Sequence, residues 1–313
     1  MGVFVFLPLV LPLTSLPIVR LAEQHLHPRG TTRLLTALGI VLALCSTVCL
    51  ALLVVVGTAQ LPGNPLPDGW ADPEVRAVVP YPDWTGTTAI AALTVVLGAS
   101  ARDLRRHRRV RTRAHRALAG LPPEGPAVLP DPAPYAYALP GTGPHRDRVV
   151  VSTGMLGALA EDERGALLAH ERAHLAGRHH RHLLAARLAA CANPLLRPLR
   201  EAVAYNAERW ADEDAAREIG DRRVTARAVA KAALVAGEGG RAPGIAAFAA
   251  GGPVPRRVAA LLGPVPPSRS WPPAASPAGI AAFLAAAGTT VSAVSSLNAT
   301  MALFLVLKAA TPL

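Results

Sequence analysis

A mainly α-helical membrane protein is the fold class predicted, with four transmembrane helices and one cytoplasmic α+β domain placed between the third and the fourth. Three observations predict it. Just over half of the 313 residues are hydrophobic while few are aromatic, a composition of membrane type. Long uncharged apolar runs lie at the two ends of the chain, at residues 2–18, 34–60, 85–101 and 278–307. Between them, residues 102–277 carry most of the charge and are numerous enough for a core of their own.

The first apolar run contains Pro8, Pro12 and Pro17 and reads as a kinked or irregular span. A cleaved signal peptide is the alternative, but such peptides begin with basic residues, and here the charges follow the apolar run. The second run is the clearest span, and the fourth is long enough to tilt. Residues 1–101 therefore form three spans with short loops, and residues 278–313 form the fourth span and a short tail. Arginines orient them. Arg20, Arg29 and Arg33 face only Glu23 between spans one and two, whereas Asp68, Asp72, Glu74 and Asp83 face only Arg76 between spans two and three. After span three, residues 102–116 hold eight arginines and a single Asp103. The positive-inside rule puts the first loop and the segment after span three in the cytoplasm and the acidic loop outside. Both termini then face outward.

The arginine-rich segment contains Arg105-Arg106-His107-Arg108-Arg109-Val110-Arg111. Such a run neutralises phosphates, of nucleic acid or of lipid. No zinc finger, winged helix or interleaved aromatic accompanies it, so anionic lipid headgroups are the expected partner and no direct nucleic acid is. The net charge of +11 is largely this feature.

The interior segment reads as a basic helix to about residue 118, then a proline-rich loop over 121–134. Two short strands follow at about 135–139 and 148–152. Helices are expected at about 153–160, 162–192, 195–219, 222–237 and 253–262, and residues 263–277, with six prolines, form a stiff linker.

Chemistry enters at His170-Glu171-Arg172-Ala173-His174. Two imidazoles four residues apart share one face of a helix and can grip a single zinc ion. Glu171 beside the first imidazole reaches the open metal position, where it takes a proton from water and later gives it to a leaving amine. The flanking Leu167-Leu168-Ala169 and Leu175-Ala176 supply a buried helical context without Gly or Pro. Glu208 lies 34 positions after His174 in another helical run, with Asp212 one turn beyond it on the same face. A catalytic zinc takes three protein ligands plus water, which makes Glu208 the third. Asp212 is expected to accept the free ring N–H of His170 and fix its tautomer. Alternatively, Glu208 and Asp212 merely solvate a helix surface among Glu201, Arg209, Glu213, Asp214 and Arg217. The interior segment is thereby expected to be a zinc-metallopeptidase domain holding one Zn2+ per chain.

These residues resemble the integral-membrane gluzincin peptidases, the families that include the prenyl-protein protease, the heat-shock membrane protease and the BlaR/MecR antibiotic sensors. The resemblance rests on Leu-Leu-Ala-His-Glu-x-x-His-Leu at 167–175 and Glu-x-x-Ala-Asp at 208–212. It extends to the short strand patterns at 135–141 and 149–156 and to Arg257-Val258-Ala259-Ala260-Leu261. It covers roughly residues 130–262 and implies peptide-bond hydrolysis at zinc. The order of spans favours the BlaR/MecR type, and for that type the partner is a transcriptional repressor cleaved in the cytosol. Six residues follow residue 307, so an extracellular sensor domain of the antibiotic-receptor kind is not expected. A non-catalytic zinc scaffold is the remaining alternative, opposed by the intact Glu171.

Other side chains point less clearly. Arg178-His179-His180-Arg181-His182 reads as a solvated or membrane-facing stretch, since adjacent histidines on a helix diverge and cannot easily share an ion. His145 lies in a Gly/Pro-rich loop near the expected substrate edge. Tyr205 and Arg257 are candidate oxyanion stabilisers by donor type alone. Cys45, Cys49 and Cys191 read as free packing thiols. Arginine outnumbers lysine 30 to 2 and alanine is abundant, which suggests a GC-rich bacterial genome, so the expected location is a bacterial cell membrane.

Overall fold

Prolines decide how the chain begins. Each removes a backbone donor and clashes with the preceding turn, and residues 2–18 accordingly break into a 3-10 turn (Gly2–Val5), one helical turn α1 (Leu7–Val10), a second 3-10 turn (Leu11–Thr14) and the start of α2 (Ser15–His25). The computed structural model describes residues 2–73, 75, 82–122, 124–141, 143, 145–238, 253–266 and 275–311. Among these, three helices are long and apolar enough to cross a membrane: α3 (Pro28–Ala59), Trp84–Ala117 within α4 (Pro82–Ala117), and Gly279–Ala309 near the C-terminus. The first apolar run is not a fourth such helix. Residues 74 and 76–81 of the acidic loop between α3 and α4 lie outside the described residues.

Residues 28–33 already belong to α3, six residues before the expected span, because Pro28 suits the first helical position and His27 Nδ1 accepts the Arg29 N–H at 3.2 Å. α3 and α4 touch through two glycines: a methyl group on Gly57 would overlap the backbone of Gly86, and the converse holds. Such small-residue contacts let helix backbones approach closely in lipid. Large apolar side chains on the C-terminal helix face outward, with Phe283 72 % and Phe304 57 % exposed, the pattern of a surface solvated by hydrocarbon rather than water.

Past α4 the chain forms a three-stranded sheet, β1 (Ala127–Leu129), β2 (Ala136–Leu139) and β3 (Arg148–Ser152), in the order β1-β3-β2. The central strand is the most apolar, Val149-Val150-Val151, and all three valines are buried. β1 runs parallel to it with Val128 opposite Val151, and β2 antiparallel with Tyr137 opposite Val150. β1 falls within the expected proline-rich loop; three residues between prolines are too short a run to show alternation. β2 is an edge strand.

The remaining helices are α5 (Thr153–Ala158), α6 (Glu161–Ala176), α7 (His179–Ala192), α8 (Arg197–Ile219), α9 (Arg222–Glu238), α10 (Val254–Leu262) and α11 (Pro277–Ala309). The acidic first turn of α6 suits the helix dipole, and the Glu163 carboxylate accepts the Ala160 N–H at 2.9 Å. The single helix expected over 162–192 is two helices. α6 stops at Gly177, and Arg178 takes a left-handed conformation with φ 50° before α7 begins. Part of the expected linker, residues 267–274, lies outside the described residues.

One core cluster draws on segments far apart in sequence: Ile18, Leu35, Leu38 and Leu42 pack with Ala186, Leu196, Leu199, Val203 and Ala285. The first half of α3 thus seats α7 and α8, and Gly39 leaves room for Leu199 against α3. A second cluster of Val5, Cys49, Leu53, Val56, Ala89, Ala299 and Leu303 joins the apolar helices to one another. Cys45, Cys49 and Cys191 are free thiols, as expected.

Gly57→Leu is expected to force α3 and α4 apart, an overpacking defect costing about 1–3 kcal/mol. Thermal unfolding of the full chain in detergent measures it, and an unchanged midpoint would show that the two glycines do not meet.

Candidate metal centre

The helical repeat puts His170, Glu171 and His174 on the inner side of α6, where α8 crosses it carrying Glu208 and Asp212. All five side chains are buried. His170 Nε2 and His174 Nε2 are 3.0 Å apart, and each faces one oxygen of the Glu208 carboxylate, at 3.5 Å and 3.4 Å. The three residues form the one cluster among the described residues with metal-ligand spacing, its donor atoms all within 4.8 Å of each other. Ligands bonded to one tetrahedral zinc lie about 3.3–3.5 Å from each other, close to the three separations here. Two neutral imidazoles and one carboxylate are a donor set suited to zinc rather than to calcium or magnesium. The residues fit the ion.

Electrostatics point the same way. Burial lowers the pKa of His170, but its short contacts with the charged Asp212 and Glu208 carboxylates outweigh this and raise it. Burial likewise raises Glu208, and His174, Arg257 and His170 overcome it, holding the carboxyl well below the usual range. The pocket therefore favours positive charge at the point where the three side chains meet.

Asp212 approaches His170, with Oδ1 3.0 Å from His170 Nδ1. The approach is short but poorly aligned. Asp212 is fully buried, and its carboxylate is engaged chiefly by Arg257, whose Nε donates to Oδ2 at 2.8 Å and Nη2 to Oδ1 at 2.6 Å. The third guanidinium nitrogen, Nη1, is 3.0 Å from Glu208 Oε2. Arg257 therefore bridges the two carboxylates of α8 and is not a free oxyanion donor, which corrects one expectation. α10 is held in place to deliver it: Arg222 pairs with Glu213 and donates to the Leu261 and Ala260 carbonyls at 2.9 and 3.0 Å, satisfying the C-terminal end of α10. Tyr205, the other oxyanion candidate, is buried on α8 with the Arg256 guanidinium 4.4 Å over its ring.

In the histidine-rich stretch after the motif, expected to be solvated or membrane-facing, Arg178 and Arg181 are exposed but the histidines turn inward. His179 is 1 % exposed, and its Nδ1 lies 2.8 Å from His174 Nδ1. Burial, with His174 next to it, pushes its pKa down to about 2, which leaves a neutral ring. His182 Nδ1 meets Thr36 Oγ1 of α3 at 3.1 Å. Sequence reasoning missed this because it ran one helix through residue 177; Gly177, three residues after His174, was the available stop signal.

A cavity of about 90 Å³ opens beside the cluster, with Glu171, His174 and His179 on one side. Val110, Tyr137, Pro140, Leu183 and Leu184 give it apolar walls. The end of β2 is fixed by α4: Arg111 Nη2 donates to the Pro140 and Gly141 carbonyls at 3.1 and 2.9 Å, and His115 Nε2 meets the Pro140 carbonyl at 3.0 Å. His145 stacks on His115 at 4.6 Å, outside the metal cluster.

Replacing Arg257 by Met leaves Glu208 and Asp212 buried without their cation. The metal-free protein is expected to lose about 3–5 kcal/mol, read as a lower denaturation midpoint, and an unchanged midpoint would show that the bridge contributes nothing.

Comparison with known proteins supplies one match. Neither a curated protein nor a solved structure matches the chain. Residues 100–190 match the sequence profile of Peptidase family M48, a stretch running from the basic half of α4 through the sheet to α7. It includes His170, Glu171 and His174 and ends before Glu208. With the buried His-His-Glu cluster, the match supports a metallopeptidase of that family.

Proposed function

We propose that the protein is a membrane-embedded zinc endopeptidase of the gluzincin type that hydrolyses peptide bonds of a cytosolic or membrane-proximal protein. The observation that carries this reading is the convergence of His170, His174 and Glu208 on one buried point. A zinc ion held there supplies Lewis-acid chemistry, acidifying a water and polarising the scissile carbonyl. Glu171, lining the cavity next to His174, takes the proton of the attacking water and passes it to the leaving amine. Asp212 holds the ring of His170, and Arg257 keeps Asp212 and Glu208 ionised and in register.

Edge strand β2 offers main-chain groups to an extended peptide, so that backbone hydrogen bonds hold the substrate. The apolar cavity beside Glu171 accepts an aliphatic side chain next to the cleaved bond. The arginine distribution supports a domain at residues 102–277 on the cytoplasmic side of a bacterial membrane with both termini outside. On that reading, residues 102–116 lie against anionic headgroups. Cleavage of a transcriptional repressor, as in the BlaR/MecR sensors, is the second reading. It is favoured by α4, whose apolar half continues without a break into the wall of the cavity.

In full-length protein purified in detergent, Glu171→Gln is expected to keep its zinc and lose proteolysis by about 10²–10⁴-fold or more, whereas His174→Ala loses the metal. Metal analysis with a casein-cleavage assay reads both, and retained cleavage in Glu171→Gln overturns the assignment. Zinc affinity is expected to depend on pH. His170 is protonated below its raised pKa, so binding must expel that proton, and the affinity tightens by up to about tenfold per pH unit between pH 6 and 8. Chelator competition at three pH values measures the slope, and a flat profile contradicts a protonated His170 in the metal-free protein.

A further inference from the structure

His179 sits where the backbone has been bent to put it. α6 ends at Gly177, and a side chain there would occupy the space of the His179 imidazole. Arg178 is the one non-glycine residue with positive φ among the described residues, a conformation costing roughly 1–2 kcal/mol. Strain of this kind persists only where surrounding structure fixes it, and it is a pointer to function. Its result is to turn α7 so that its first residue points back beneath the zinc helix. There His179 stands edge-on to His174, with ring centroids 4.8 Å apart at 88°, and its other side rests 4.5 Å from the Trp210 ring of α8.

The chemistry of the contact fixes its direction. His174 turns Nε2 toward His170 and Glu208, so metal ligation there requires the Nε2 lone pair and leaves the ring proton on Nδ1. That N–H is 2.8 Å from His179 Nδ1, which must then be the acceptor, with the His179 proton on Nε2. We propose that His179 is a positioning residue for the metal centre: as a neutral Nε2–H tautomer it accepts the Nδ1 proton of His174 and holds the Nε2 lone pair of His174 toward His170 and Glu208. The inference rests on the zinc reading above and adds a residue to it.

The two ligand histidines are then anchored differently. His170 leans on the Asp212 carboxylate, which shares the Arg257 guanidinium with Glu208, and His174 leans on an uncharged imidazole. The position also explains the burial of a histidine whose Nε2 has no hydrogen-bond partner among the described residues. The cost of that unmet donor is tolerated because the opposite nitrogen is needed.

The test is zinc affinity of the full-length protein in detergent, measured by competition with a chromophoric chelator, with the visible spectrum of the cobalt-substituted protein as a second readout. His179→Phe keeps the ring's shape and removes the acceptor, and is expected to weaken zinc binding by about 10–100-fold and shift the cobalt bands. His179→Asn places an uncharged acceptor near the position of Nδ1, and is expected to bind zinc within about threefold of wild type with the wild-type cobalt spectrum. Equal affinity in wild type and His179→Phe overturns the proposal, as does an equal loss in both variants. Where the phenylalanine variant fails to fold, a loss of about tenfold in His179→Asn is enough to overturn it. Wild-type protein that binds no zinc sinks the zinc reading itself, whereas tight wild-type binding matched by His179→Phe sinks this inference alone.

Discussion

Everything at the centre of this molecule depends on one buried ionic network. Glu208 and Asp212 are carboxylates almost without solvent, and such groups stay ionised only when cations and hydrogen bonds replace the water they have lost. Arg257 supplies the fixed part of that compensation, and His170 supplies a variable part, a proton that a divalent cation can displace. The arrangement resolves a difficulty for any apo metal site, which must keep its anionic ligand deprotonated and aimed before the ion arrives. Here the ligand is held by a guanidinium from a third helix, so the site does not have to be assembled by the metal.

Much of the centre was legible in the sequence because it follows the helical period. His170 and His174, and Glu208 and Asp212, are each one turn apart, and the spacing puts them on shared faces without any knowledge of tertiary structure. Singling out Glu208 as the partner of the two imidazoles needed only the coordination number expected of zinc. Arg257 was singled out by donor type alone, without an assigned role. Its residue type suggested a donor to substrate, whereas the fold spends all three of its nitrogens on carboxylates, a fact that depends on where α10 docks. His179 was hidden by a different cause. A continuous helix would have sent it to solvent, and one left-handed residue reverses that. Local backbone exceptions of this sort leave little trace in hydrophobic periodicity.

The fold shows the same division. Long apolar runs announced α3, α4 and α11, but the three prolines of residues 2–18 outweigh their apolarity and yield short turns packed against α3 and α11. Strand β1 escaped notice because three residues cannot display a period. The packing of α7 and α8 on the first half of α3, through Leu35, Leu38 and Leu42, is long-range complementarity that no local pattern encodes. It ties the helix bearing Glu208 and Asp212 directly to an apolar helix, so the chemistry stands on a foundation that is itself a candidate span.

The length of α4 has a mechanical meaning. At 36 residues without interruption it is a rod of about 54 Å, apolar along its first half and gripping the Pro140 and Gly141 carbonyls near its far end through Arg111 and His115. Arg111 stands about 27 Å along the axis from the middle of the apolar half, so each degree of tilt there sweeps it sideways by about 0.5 Å. Reacting groups displaced by about 1 Å can lose two orders of magnitude in rate. The rod therefore ties the orientation of its apolar half to the position of the strand end at Pro140 and Gly141.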